Sequence, residues 1–144
     1  MPPIRVLIVD DSLWFRQAAV AALELEPDFV VVGCAASGAE AVELVEARRP
    51  DVVLLDVIMP YMNGWEVARC LKQRPLAPRV LIMSLQNGPE YQVAAAGVQA
   101  DGFLCKTDFG SGLVPLLREW FCRAAEAQRL WSGRTAGWSV GLAG

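Results

Sequence analysis

Histidine is absent from this 144-residue sequence, and lysine occurs only twice, against eleven arginines. The four cysteines show no Cys-x-x-Cys spacing, and without histidine the sequence offers no recognisable zinc-binding pattern. We therefore expect the four cysteines to be buried, reduced thiols. They are Cys34, Cys70, Cys105 and Cys122.

The sequence also has few basic residues close together and no long apolar run. No basic cluster exceeds the pair Arg48-Arg49, and the net charge is −3 with a pI near 4.9, which argues against binding to nucleic acid or an anionic membrane. No apolar run is long enough to span a bilayer, and the N-terminus lacks the pattern of a secretory signal. We therefore expect a cytoplasmic protein. With 54% hydrophobic and 20% charged residues, the chain can form one domain with a sizeable core.

Five short aliphatic runs alternate with segments of helical periodicity. The predicted strands are residues 4–9, 29–34, 52–55, 79–84 and 102–105. A helix is predicted after each strand: from a cap at Asp11 or Ser12 to Pro27, then over residues 37–49, 65–73, 88–97 and about 112–131. Five β–α pairs with short connections predict an α/β fold, in which a five-stranded parallel sheet is doubly wound with helices on both faces.

Charged and hydroxyl side chains stand where four of these strands end. Asp10 and Asp11 follow the first strand, Asp56 follows the third, Ser84 ends the fourth, and Lys106 follows the fifth. Because parallel strands wound in one hand end at the same edge of a sheet, we expect these side chains to converge. Three crowded carboxylates raise one another's pKa unless a cation compensates, and carboxylate oxygens are ligands suited to Mg²⁺.

The predicted cluster has the parts of a phosphoryl-transfer site. A carboxylate such as Asp56 can attack a phosphoryl donor and form an aspartyl phosphate. Mg²⁺, a serine hydroxyl and a lysine ammonium would then bind the phosphoryl oxygens. Simpler interpretations remain open for single residues: Asp10 or Asp11 could serve only as a helix cap, and Ser84 could only satisfy backbone groups.

Together, these motifs resemble the receiver domain of two-component response regulators. The matching segments are Val-Asp10-Asp11-Ser, Leu-Asp56-Val-Ile-Met-Pro-Tyr-Met-Asn-Gly64, Ile-Met-Ser84 and Phe103-Leu-Cys-Lys106. The resemblance covers roughly residues 4–125 and implies a flavodoxin-like fold with strand order 2-1-3-4-5. It implies that Asp56 is the phosphoacceptor, and that Asp10, Asp11 and Asp56 bind Mg²⁺ together with the backbone carbonyl of Ile58.

The same resemblance assigns the remaining roles. Ser84 would be the switch hydroxyl and Lys106 the lysine that binds the phosphoryl group. Phe103 would be the switch aromatic, although an aromatic residue in a strand can also be ordinary core.

Three residues depart from the family pattern. Leu85 stands where a small residue usually leaves room for the phosphoryl group, so we expect restricted access. Thr107 replaces the proline that often follows the lysine in a cis bond, so we expect a trans or a strained bond. Ile58 is aliphatic and cannot position an attacking water, which predicts slow hydrolysis of the phosphorylated form.

The last predicted helix, which would hold Pro115 in its first turn, carries a wide apolar stripe. The stripe could be entirely core, but it also suits a homodimer or a partner's groove. Its members are Leu113, Leu117, Trp120, Phe121, Ala124, Ala125, Ala127 and Trp131. We expect a receiver domain over residues 1–131, followed by a Gly- and Trp-containing tail, residues 132–144, that is too short for an output domain.

These features predict a stand-alone cytoplasmic receiver, a switch and not a turnover enzyme. It would accept a phosphoryl group on Asp56 from a histidine kinase or phosphotransfer protein. It would then signal through a downstream protein on the face of helix 4, strand 5 and helix 5, without contact to nucleic acid or membrane.

Three alternatives stay open. The chain could be the receiver fragment of a DNA-binding regulator, whose receivers have a similar Val-Val-Gly-Cys-Ala second strand. It could be a pseudo-receiver that binds partners without phosphorylation, which Leu85 and Thr107 would support. It could also be a phosphatase or phosphotransferase, but those enzymes place Asp-x-Asp on strand one, where this chain has Asp10-Asp11-Ser12.

Overall fold

Five parallel strands form the central sheet of the computed structural model, which describes residues 2–59, 62–86 and 88–133, with side chains described for all of these except 62 and 122–133. The strands are β1 (Ile4–Val9), β2 (Phe29–Ala35), β3 (Val52–Asp56), β4 (Arg79–Ser84) and β5 (Gly102–Cys105). Their order across the sheet is β2-β1-β3-β4-β5, and all four pairings are parallel. The predicted α/β fold and strand order are confirmed.

The central strands form where the sequence is most continuously aliphatic. All five residues of β3 are buried, and alternate residues of β1 point to opposite faces of the sheet. Leu7 and Val9 belong to a core shared with three helices, while Val6 and Ile8, on the opposite face, are buried as well. Burial on both faces is what a sheet covered by two layers requires.

The described residues contain five α-helices. They are α1 (Leu13–Glu24), α2 (Gly38–Arg48), α3 (Gly64–Lys72), α4 (Pro89–Gly97) and α5 (Phe109–Gly133), with a 3₁₀ turn at Lys106–Asp108 before the last. Ser12, Ser37 and Asn63 cap the first three helices, because a side-chain oxygen of each accepts a backbone N–H of the first turn. Within the described part of the chain, no helix is both long and apolar enough to cross a bilayer.

The start of α5 differs from the prediction. The segment Phe109-Gly-Ser-Gly has the composition of a loop, yet the 3₁₀ turn continues directly into the helix at Phe109. Pro115 therefore lies inside α5 and not in its first turn, where its missing N–H leaves the carbonyl of Ser111 without the usual helical partner. The predicted apolar stripe of α5 extends beyond the described side chains at Ala124, Ala125, Ala127 and Trp131.

The chain divides into two compact units, Met1–Gly110 and Ser111–Gly144, and the first contains the whole sheet. The predicted boundary at residue 131 lies within the second unit. Residues 134–144, most of the predicted tail, are outside the described residues. The loop predicted after β3 contains a short antiparallel ladder, in which Ile58 and Met59 pair with Asn63 and Met62. Pro60 of the motif Asp56–Gly64 is not among the described residues.

The cysteines do not share one environment. Cys105 is buried and Cys34 is half-buried, but Cys70 is exposed, so the prediction of buried thiols is wrong for Cys70. The buried stripe of α3 contains Val67, Ala68 and Leu71, and residue 70 lies on the side of the helix away from this stripe. The side chain of Cys122 is outside the described residues.

Candidate functional site

The carboxylate of Asp56 lies at the end of β3, where the aliphatic run stops. Its side chain is nearly buried, with the residue 6% exposed, and Oδ1 accepts the backbone N–H of Ile58 at 3.2 Å. That hydrogen bond joins the carboxylate to the backbone two residues after it. The strand end and the turn together fix the direction of the carboxylate.

Asp10 and Asp11 lie at the end of the adjacent strand β1. Asp10 is 2% exposed, and its Oδ1 accepts the backbone N–H of Ser12 at 2.9 Å. Asp11 is exposed. Since Ser12 is the residue that caps α1, neither aspartate is needed as the helix cap. The cap interpretation of the two aspartates is therefore wrong, and the cap prediction holds for Ser12.

The three carboxylates converge as predicted. One oxygen atom from each of Asp10, Asp11 and Asp56 lies within 4.8 Å of the others. A cluster of three hard oxygen donors, two of them from nearly buried residues, is suited to a divalent cation such as Mg²⁺. These residues are therefore the part of the described chain that fits a metal ion.

Lys106 supplies the positive charge of the cluster. Its Nζ lies 2.5 Å from Oδ2 of Asp10 and 3.5 Å from Oδ2 of Asp56, and its side chain is only 10% exposed. The same ammonium lies over the ring of Phe15, 4.5 Å from the centroid, and the Phe15 ring packs against Phe109 at 5.1 Å. Phe15 belongs to the buried face of α1, and helical periodicity carries no signal for its contact with Lys106.

The electrostatics of the cluster act on Asp56 in particular. Burial and then the charge of Asp10 raise the pKa of Asp56 from 3.8 to about 6. The hydrogen bond from Ile58 and the charge of Lys106 oppose this rise, and Asp11 adds to it. A carboxylate with a raised pKa gains more from a nearby cation than an ordinary surface aspartate does.

Ser84 is fully buried at the end of β4, next to β5. Its Oγ accepts the backbone N–H of Gln86 at 3.1 Å, which is the local backbone contact that the simpler interpretation of this serine foresaw. The structure thus places Ser84 at the expected strand end, with its hydroxyl engaged by the loop that follows.

Phe103 in β5 is partly buried against the core. Its ring centroid lies 6.4 Å from that of Tyr91 in α4, which in turn lies 6.4 Å from that of Trp65 at the start of α3. The three rings form a continuous row from β5 to α3. Tyr91 and Trp65 were not predicted as neighbours of Phe103, because helical periodicity does not reveal which side chains of two helices meet.

The three departures from the family pattern have distinct surroundings. Ile58 and Leu85 are 57% and 69% exposed. The Lys106–Thr107 bond is trans, as expected for a bond that lacks proline.

Gly64 fits closely against the turn after β3: an added Cβ would lie 2.3 Å from Cα of Val57 and 2.5 Å from the carbonyl oxygen of Asp56.

The sequence matches the family model described as the response regulator receiver domain over residues 6–113. The chain belongs to this family. It is 38% identical over 104 residues to the nitrate/nitrite response regulator protein NarL of Escherichia coli strain K12, covering 72% of this chain and 48% of that protein. It is 36% identical over 115 residues to the transcriptional regulatory protein DegU of Brevibacillus brevis, covering 80% of this chain and 49% of DegU. The chain therefore spans about half the length of these curated relatives.

Solved structures agree with this assignment. The receiver domain of NarL from Mycobacterium tuberculosis matches with a TM-score of 0.72 and 38% identity, covering 81% of this chain and 97% of that chain. The response regulator domain of CheB from Thermotoga maritima matches with a TM-score of 0.75 and 30% identity, covering 81% and 95% of the two chains. The receiver family and the fold expected from the sequence motifs are confirmed.

Proposed function

We propose that the protein is a phosphorylation-activated switch in which Asp56 accepts a phosphoryl group. The observation that carries the proposal is the position of Asp56: a nearly buried carboxylate beside Asp10, Asp11 and the ammonium of Lys106. The donor would be a phosphohistidine of a histidine kinase or of a phosphotransfer protein. These are the proteins that act with receiver domains in two-component systems. Such a switch would work in the cytoplasm.

In the proposed reaction an oxygen atom of Asp56 forms a bond to phosphorus while the bond between phosphorus and the donor nitrogen breaks. Mg²⁺, when bound by Asp10, Asp11, Asp56 and the carbonyl of Ile58, would neutralise charge on the phosphoryl oxygens. Lys106, already 3.5 Å from Oδ2 of Asp56, is close enough to donate to a phosphoryl oxygen after a small movement.

The switch would act on contacts that the structure contains. The Ser84 hydroxyl, whose oxygen accepts the N–H of Gln86, would donate its proton to a phosphoryl oxygen, and the loop after β4 would follow. Phe103 would turn inward and leave Tyr91, which changes the surface at α4 and β5. A downstream protein would bind where that surface differs between the two states. The further involvement of α5, as part of this surface or in a homodimer, stays a prediction.

The test is incubation with Mg²⁺ and acetyl phosphate, followed by intact mass and tryptophan fluorescence, with Asp56→Asn as the control. The proposal predicts a mass gain of one phosphoryl group that needs Mg²⁺ and is lost in Asp56→Asn. It also predicts a fluorescence change in the wild-type protein, because the Trp65 ring lies next to Tyr91, the neighbour of Phe103. Absence of any gain with acetyl phosphate or a phosphorylated phosphotransfer protein would support a pseudo-receiver, and steady consumption of donor would support an enzyme.

A second candidate is the receiver part of a longer DNA-binding regulator. The observation in its favour is that NarL and DegU resemble this chain over only about half of their own length. The mass of the natural protein in its cells separates the two candidates. A mass near 15.7 kDa supports a stand-alone receiver, and a mass about twice as large supports the longer regulator.

A further inference from the structure

The thiol of Cys105 lies between the two loops that follow β4 and β5. Cys105 is 6% exposed and pairs with Ser84 across the two strands. Its Sγ lies 3.8 Å from the carbonyl oxygen of Leu85 and 3.1 Å from Oγ1 of Thr107. The thiol therefore contacts the residue after Ser84 on one side and the residue after Lys106 on the other.

The directions of the two hydrogen bonds follow from the available protons. A thiol has one proton, and the carbonyl of Leu85 can only accept, so the S–H donates to Leu85. The hydroxyl of Thr107 then donates to the sulfur. The result is a chain from Thr107 through Cys105 to Leu85, which joins the loop of the switch serine to the turn of the phosphate-binding lysine.

We propose that Cys105 and Thr107 are positioning residues that hold the Lys106 turn against the loop after Ser84. The proposal rests on the proposed function, because it deepens the roles of Lys106 and Ser84 in phosphorylation. Thr107 stands where the family often has a proline, whose ring would hold the backbone of this turn. In this chain, the hydroxyl–thiol pair fixes the turn instead.

The position of the link explains why it would affect the reaction. Lys106 follows Cys105 directly, and its ammonium has to be shared between Asp10 and Asp56. On the other side, the Leu85 carbonyl belongs to the loop whose next N–H, that of Gln86, is held by Ser84. Loss of the link would loosen both phosphate-binding side chains, although neither Cys105 nor Thr107 would touch the phosphoryl group.

The test compares Thr107→Val, which removes the hydroxyl at similar shape, with Thr107→Ser, which keeps it. The measured quantity is the rate constant of phosphorylation by acetyl phosphate with Mg²⁺. Thr107→Val is expected to lower it roughly three- to tenfold, the kinetic equivalent of one lost hydrogen bond. Thr107→Ser is expected to restore the wild-type rate. Equal rates for wild type and Thr107→Val would overturn the proposal.

Two further variants separate positioning from a general loss of structure. Cys105→Ala is expected to slow phosphorylation as Thr107→Val does, and the double variant to be no slower than either single one, because both changes break the same chain. Cys70→Ala, at the exposed thiol of α3, is the matched control and is expected to leave the rate unchanged. Additive effects of the two substitutions would contradict the link.

A spectroscopic measurement tests the link without phosphorylation. The S–H stretching band of Cys105 is identified in the infrared spectrum as the band lost in Cys105→Ala. It is expected to shift in Thr107→Val and to keep its wild-type frequency in Thr107→Ser and Cys70→Ala. An unshifted band in Thr107→Val would refute the link, whether or not the wild-type protein accepts phosphate. A shifted band would support the link. If the wild-type protein then accepted no phosphate, only the proposed function would be refuted.

Discussion

The ammonium of Lys106 lies closer to Asp10, at 2.5 Å, than to Asp56, at 3.5 Å. Asp10 is also the more deeply buried of the two carboxylates, with 2% of its surface exposed. Lys106 is therefore the closer partner of Asp10. The pKa of Asp56 stays raised to about 6, first through burial and then through the charge of Asp10, although Lys106 opposes this rise. This division of charge has consequences for stability, pH dependence and metal binding.

Replacing the lysine tests its role as the cation of the cluster. Lys106→Met is expected to lower the free energy of unfolding by about 3 kcal/mol at neutral pH, because it leaves buried carboxylates without a partner. Added Mg²⁺ is expected to recover part of this loss, since a ligand of the folded state stabilises it. Urea denaturation with and without Mg²⁺ measures both effects. Lys72→Met removes an ion pair with Asp101 outside the cluster, and Mg²⁺ should not stabilise this variant comparably. Equal stabilisation of both variants by Mg²⁺ would contradict the role of Lys106 as the cation of the cluster.

The pKa of Asp56 predicts how stability changes with pH when metal is absent. Between pH 3.8 and about pH 6, the folded protein holds a proton on Asp56 that the unfolded chain has lost. The contribution of Asp56 to the free energy of unfolding therefore falls as the pH rises through this interval. Asp56→Asn lacks this term, so its stability relative to wild type should increase with pH up to about 6 and then level off. Denaturation curves in a metal chelator measure the difference, and a constant difference would contradict the raised pKa.

Mutation of Gly64 tests the close fit of the turn after Asp56. A Cβ at this position would overlap backbone atoms of Val57 and Asp56, which cannot move without displacing the end of β3. Gly64→Ala is expected to lower the free energy of unfolding by about 2–4 kcal/mol and to slow phosphorylation. Gly97→Ala, at the end of α4, is the control, since an added Cβ there meets nothing within 4 Å. Equal stabilities of the two variants would show that the turn is not fixed as described.

The exposed side chain of Ile58 predicts a long-lived phosphorylated form. Ile58 is 57% exposed, and its aliphatic side chain would offer no hydrogen bond to a water that attacks a phosphoryl group on Asp56. Ile58→Asn should raise the rate of dephosphorylation by about tenfold or more, because an amide can orient that water. The decay of the phosphorylated mass after removal of donor measures the rate. A wild-type lifetime of seconds would refute the prediction.

Much of the site could be predicted from the sequence, because its residues stand at strand ends. Continuous aliphatic runs mark the strands, and parallel winding brings their ends to one edge, so the convergence of Asp10, Asp11, Asp56 and Lys106 follows from the order of elements alone. Ser84 is likewise found at its expected strand end.

The remaining details depend on side-chain packing between elements. Neither the preference of Lys106 for Asp10 nor its contact with Phe15 has a signal in the sequence, because both depend on how α1 lies beside the end of β5. The neighbours of Phe103 are set in the same way. The start of α5 was misplaced because a segment with two glycines has low helix propensity, which the preceding turn overrides.

The central claim is that Asp56, and neither of its two acidic neighbours, carries the phosphoryl group. The most direct measurement is borohydride reduction of the phosphorylated protein, which converts an acyl phosphate to an alcohol, followed by peptide mass spectrometry. Residue 56 is expected to be reduced to homoserine only after incubation with both donor and Mg²⁺. Reduction at Asp10 or Asp11, or an unmodified residue 56 in phosphorylated protein, would contradict it.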